Sequence, residues 1–114
     1  MEALYDSSGG VYAWLDERGR IIGLRGDHLA FIDGDSVYNW RGQHVGWWRD
    51  GHIRDSSGAV AVFTAGATNL GVVKPVKAVK PVKPVKAVAP VKPVKAVKPV
   101  RPVKQLSWSR NIPF

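Results

Sequence analysis

"LYDSSGGVYAWLDERGR", residues 4–20, starts on an apolar residue, bends through Asp-Ser-Ser-Gly and resumes in an alternating run that reaches a tryptophan. Three further segments repeat it: "IIGLRGDHLAFIDGDS" (21–36), "VYNWRGQHVGWWRDGH" (37–52) and "IRDSSGAVAVFTAGAT" (53–68). Glycine recurs at Gly9, Gly26, Gly42 and Gly58, and five residues after each stands Trp14, Phe31, Trp47 or Phe63. Each unit reads as a β-hairpin. Leu4, Ile21, Val37 and Ile53 open a short strand, and Asp6, Gly23, Asn39 or Asp55 begins a four-residue turn closed by the repeated glycine. Asx side chains bond the turn backbone, and glycine supplies the positive φ.

The second strand of each unit alternates with period two. That places Tyr12/Trp14, Leu29/Phe31, Val45/Trp47 and Ala61/Phe63 on one face. The other face carries Val11/Ala13, His28/Ala30, His44/Gly46 and Val60/Val62. Small residues at one equivalent position (Ala13, Ala30, Gly46, Val62) imply a crowded place where strands of different units meet. A lone hairpin is marginal in water, so the four must pack together. The expectation for residues 1–69 is an all-β head, four short hairpin repeats in pseudo-fourfold arrangement.

Residues 70–105 are built differently. Valine occupies 73, 76, 79 and every third position to 103, a cation follows all but one, and proline or alanine ends most triplets. Proline at this density excludes an α-helix and a central strand. Polyproline II remains, with three residues per turn, so valines, cations and Pro/Ala would line three separate edges. Extended, such a stem would reach on the order of 95 Å. The last segment, 106–114, breaks the triplet and restores Leu106, Trp108, Ile112 and Phe114. It is expected to anchor the tail, by folding back to complete the core of a head or as a short docking motif. A stiff straight stem favours a neighbouring molecule's head.

The charge is divided. Residues 1–72 hold six arginines, no lysine and nine acids; residues 73–114 hold nine lysines, two arginines and no acid. The chain as a whole has a net charge of +8. An acidic head and a basic tail attract each other, or the tail seeks an outside polyanion. Cysteine is absent, which removes disulfides and thiolate metal sites. No secretory signal pattern opens the chain and no apolar run approaches a membrane span, so the default compartment is the cytoplasm, with export by a signal-independent route as the alternative.

The run "LYDSSGGVYAWLD" with its three echoes, the proline-rich triplet tail and the late "LSW" resemble bacterial proteins of the four-fold β-flower family. The resemblance covers the whole chain. It implies a fold, and it carries over no enzymatic activity, cofactor or catalytic residue. Thr64 and Ala65, and the lysine-rich tail, depart from the family's pattern.

No catalytic constellation emerges. Ser7, Ser8, Ser56 and Ser57 are turn residues, and the carboxylates have roles in turns and linkers. His28 and His44 occupy equivalent positions, but no third metal ligand is fixed by spacing. No catalytic, cofactor or metal residues are assigned. The leading expectation is a non-enzymatic structural or interaction protein, homo-oligomeric or bound to a protein partner. Its contact edge would be Val73, Val76, Val79, Val82, Val85, Val88, Val91, Val94, Val97, Val100 and Val103. One alternative is a tether to nucleic acid or an anionic surface through Lys74, Lys77, Lys80, Lys83, Lys86, Lys92, Lys95, Lys98, Arg101 and Lys104. Another is a sugar- or choline-type ligand held by head aromatics, with Trp40 and Trp48 off the repeated stripe as surface candidates.

Overall fold

The computed structural model of the chain describes residues 1–75, 83–86 and 92–114. Eight antiparallel strands close into a barrel in simple chain order. The four hairpins are β1 (Glu2–Tyr5) with β2 (Val11–Leu15), β3 (Arg20–Gly23) with β4 (His28–Asp33), β5 (Ser36–Asn39) with β6 (His44–Arg49), and β7 (His52–Asp55) with β8 (Val60–Phe63). They are the four sequence repeats, and the barrel closes where Tyr5 of β1 pairs with Phe63 of β8.

The turns form as their residues require. Asp6, Asn39 and Asp55 each accept two backbone N–H groups through one side-chain oxygen, at 2.9–3.1 Å. The second unit has Gly23 at that place, and the Asp27 side chain folds into the space that a Cβ on Gly23 would fill. Gly42 and Gly58 adopt φ of 82° and 93°, a region other residues enter at a cost.

Equivalent cross-strand pairs build the interior: Leu4 with Ala13, Ile21 with Ala30, Val37 with Gly46 and Ile53 with Val62. A large residue faces a small one in the first three, which suits an eight-stranded barrel whose lumen side chains just fill. A Cβ on Gly46 would lie 2.5 Å from the Arg54 carbonyl oxygen, so that place admits glycine alone. The small-residue position is the crowded one, as its composition implies.

The expected two faces need correction. Every hairpin carries a bulge at the same place, between Leu4/Tyr5, Ile21/Ile22, Val37/Tyr38 and Ile53/Arg54 on the first strand. The extra residue opposite is Tyr12, Leu29, Val45 or Ala61. A bulge breaks period-two alternation. Tyr12, Leu29 and Val45 therefore pack with the interior cluster of Ala13 and Ala30, not with the aromatic stripe. The stripe (Trp14, Phe31, Trp47, Phe63) lies on the outside of the barrel together with Val11, His28, His44 and Val60; the His44 ring lies tilted against Trp47, centroids 4.5 Å apart.

Outer-face aromatics need a cover, and the C-terminal segment supplies one. Where described, it follows the barrel's circumference instead of projecting from it, and the chain measures 37 × 36 × 21 Å. The straight 95 Å stem is thus replaced by a belt. The Ala96 amide donates to the Gly42 carbonyl at 2.8 Å, and the Gln105 amide to Gly58 at 3.1 Å. The belt passes so close that a Cβ on Gly42 would lie 2.1 Å from the Val94 carbonyl oxygen, and one on Gly58 2.3 Å from that of Val103. Ala96→Pro deletes the donor at a turn crossing and should cost about 1–3 kcal/mol. Pro99→Ala, which removes no bond, should cost less than about 1 kcal/mol. Thermal and urea denaturation of the two variants measure the difference, and equal losses would refute the role given to the Ala96 amide.

Candidate functional site

Five of the belt's cations meet the barrel. Lys95 pairs with Asp33, and Lys98 and Arg101 both pair with Asp35. Lys86 lies 3.5 Å from Asp16 and 3.7 Å from Glu17. Three of the cations also cover rings: Lys92 sits 5.1 Å from the centre of Phe31, and Lys98 and Arg101 sit 5.4 and 5.1 Å from that of Trp47. The attraction between acidic head and basic tail operates within one molecule.

The valine edge faces the other way. Val73, Val85, Val94, Val97, Val100 and Val103 are 86–95 % exposed, among the most exposed large apolar side chains described. Of the remaining expected site residues, Val76, Val79, Val82, Val88, Val91, Lys77 and Lys80 lie outside the described residues. Lys74 donates to the Ala65 carbonyl at 3.3 Å, while Lys83 and Lys104 are exposed.

The terminal segment docks on its own head. Ser107 and Ser109 exchange both backbone bonds with Val60, at 3.0 and 2.7 Å, and Trp108 lies against Phe63 at 5.7 Å. Ile112 and Phe114 pack on the interior cluster, and the Tyr12 hydroxyl donates to the Phe114 carbonyl at 2.5 Å. Leu106 stays exposed. The belt's curvature brings the terminus home, which a straight stem could not do.

The aromatic surface candidates separate. Trp40 lies 4.8 Å from Phe31 and 5.8 Å from His28, half-buried; Trp48 packs at the interior cluster. His28 meets Trp40 edge-on and His44 lies tilted against Trp47, and the described residues hold no group of three or more metal-ligating side chains. Ser8 and Ser57 spend their hydroxyls on Asp6 and Asp55 at 2.6 Å.

Two functional residues escaped the sequence reading. Arg54 stands where the other units have Tyr5, Ile22 and Tyr38, and only 6 % of it is exposed. Its guanidinium donates to the carbonyls of Gly58, Gln105, Asn69 and Leu70 at 2.7–3.2 Å. It thereby ties the start of the belt to its end, and burial pulls its pKa below the usual arginine value. Arg49 stands where units one and two have Asp16 and Asp33, the partners of belt lysines. Aligning the repeats on their glycines exposes both departures.

Lys98's hydrogen bond, opposed by burial, holds Asp35 below the usual carboxylate range, and Lys95 does the same for Asp33. Burial would raise Asp16, but the amides of Arg20 and Arg18 and the charges of Arg20 and Lys86 outweigh it. A carboxylate depressed in the folded state adds stability that is present above its unfolded pKa and lost as pH falls through the folded value. The belt contacts should therefore weaken below about pH 4. Asp33 and Asp35 are partly exposed, so each contributes little in salt, while Asp16 is buried. Trp47 lies beneath Lys98 and Arg101, so acid titration should change tryptophan fluorescence in the wild type. Asp35→Asn should shrink that change; an identical titration in the variant would refute the assignment.

Among the described residues no helix is long and apolar enough to cross a membrane. Comparison with curated proteins and with solved structures returns no match. The family model of the 4-fold beta flower protein matches residues 2–112, barrel and belt together. The chain belongs to the 4-fold beta flower family.

Proposed function

We propose that the protein is a non-enzymatic interaction and assembly element, whose belt offers its valine edge to a second copy of the chain or to an apolar strip on a protein partner. The observation that carries this reading is the orientation of the belt. Lys86, Lys92, Lys95, Lys98 and Arg101 turn to the barrel's carboxylates and rings, while every described valine of the triplets is open to water. Isolated exposed apolar side chains are ordinary, but a periodic row of them is characteristic of a contact surface. Inward lysines also remove much of the repulsion that would otherwise oppose packing two rows together.

Binding a polyanion asks more of the same residues. Lys86, Lys95, Lys98 and Arg101 would have to leave their own carboxylates for phosphates. Sedimentation velocity across protein concentration and salt should register self-association that persists or strengthens in high salt. Replacing Val94, Val97 and Val100 together by Asp should weaken association on the order of a hundredfold or more, with an unchanged circular dichroism spectrum. A wild type that stays monomeric throughout, yet binds DNA with a steep salt dependence, would reverse the order of the two readings.

A further inference from the structure

The belt and barrel repeat together, and one site breaks the rule in a single electrostatic direction. Nine belt residues correspond to one hairpin. Lys92 covers Phe31 and Arg101 covers Trp47; Ala96 bonds Gly42 and Gln105 bonds Gly58. Lys86 meets Asp16 and Lys95 meets Asp33. The next step in the series brings Lys104 to the place of Arg49, a cation against a cation. Beside them Arg54 replaces the aromatic or aliphatic residue of the other three units.

These residues enclose a recess. Arg49, His52, Arg54, Arg101 and Lys104 line it along with the Trp47 ring, and no acidic residue does. Its enclosed part is about 20 Å³, room for one water-sized group, and it opens to solvent beside the exposed Arg49 and Lys104. Arg101 is offset by Asp35, and Asp50, next to His52, takes the Asn69 amide. Arg49, Arg54 and Lys104 make no ion pair with a carboxylate among the described residues. Two buried polar atoms on the lining side chains also lack any partner: Nε2 of His52, a residue 1 % exposed, and Nε of Arg54, 6 % exposed. Buried polar atoms are nearly always satisfied, and Arg54 Nε can only donate, so beside uncompensated cations it calls for an acceptor. Nε2 of His52, whose Nδ1 faces the Asp50 carbonyl, carries a lone pair in the neutral ring and would take the proton of a protonated oxyanion oxygen.

We infer that this recess, between the third and fourth hairpins and the end of the belt, binds a small tetrahedral oxyanion of the phosphate or sulfate class. One oxygen enters the enclosed part, where Arg54 Nε can donate to it and a hydroxyl of the protonated anion can donate to His52 Nε2. The others face Arg49 and Lys104 at the mouth, where a planar guanidinium and an ammonium suit multidentate contact. The open side allows the phosphoryl group to be free or the end of an ester. The inference stands independently of the valine edge, because none of its residues belongs to that edge.

The probes are inorganic phosphate and glycerol 3-phosphate, each compared with sodium chloride at equal ionic strength. A ligand bound only by the native state raises the melting temperature with its concentration. Phosphate should therefore raise Tm by several degrees beyond chloride, and the His52 ring signals should move in NMR. Arg49→Asp restores the carboxylate that two other units carry opposite a belt lysine. It should keep the fold and abolish both responses; Lys104→Ala should reduce affinity at least several-fold. Equal shifts with the two probes mean that the mouth accepts esters, and a response to inorganic phosphate alone means a free-ion site; either supports the inference. A wild type indifferent to both probes, or an Arg49→Asp variant responding like wild type, overturns it.

Discussion

A proline cannot donate a hydrogen bond, and at both described crossings of a hairpin turn the belt donates one. Ala96 and Gln105 are the described crossings, and each stands where most triplets have proline. The rest of the arrangement follows from that constraint. Between crossings, proline keeps the chain extended and lowers the entropy lost in laying it down. At the crossings, Gly42 and Gly58 give the backbone room to approach. Lengths agree too: nine extended residues span about 28 Å, and a quarter of a circle 37 Å across is about 29 Å. One nine-residue step therefore carries the belt from one hairpin to the next.

The three-edged character of the belt then fixes what faces outward. Each ion pair is worth little alone, since surface pairs contribute about 0–1 kcal/mol. Their effect is orientation. With the cationic edge held over Asp33, Asp35, Phe31 and Trp47, the valine edge has nowhere to go but solvent. Covering the outer aromatics and exposing the valines are two results of one rotational setting. A belt turned by a third would bury valines against the rings and strand lysines in water, leaving the barrel's carboxylates unpaired.

Much of the barrel was legible in the sequence because its signals are local. Asx turns, turn glycines and the large-small pairs such as Ile21 with Ala30 depend on a few neighbouring residues. The assignment of Tyr12, Leu29 and Val45 failed because a bulge is one extra residue, invisible to a period-two count yet able to turn a side chain to the other face. The belt's course was missed because three-residue periodicity dominates the eye. The longer signal was present: non-proline residues end the triplets at 78, 87, 96 and 105, nine apart. Four of them matched to four hairpins speak of a circumference, where a three-residue period speaks only of a rod.

A fourfold ring made from one chain cannot be fully symmetric, since the chain must enter and leave it. Both events occur at the fourth hairpin, where residues 69–70 depart and Gln105 arrives, and Arg54 binds carbonyls from each. An aromatic like Tyr38 could shield that junction from water but could not satisfy four converging carbonyl oxygens; a guanidinium with five donors can. The same substitution puts a buried cation where the other three hairpins have Tyr5, Ile22 and Tyr38. With Arg49 and Lys104 adjacent, the junction accumulates positive charge that the rest of the ring neutralises pair by pair. Closure of the belt and the electrostatic peculiarity of the fourth hairpin thus have one origin. Whatever anion settles there acts on the clasp, because it is held by the arginine that joins the belt's two ends.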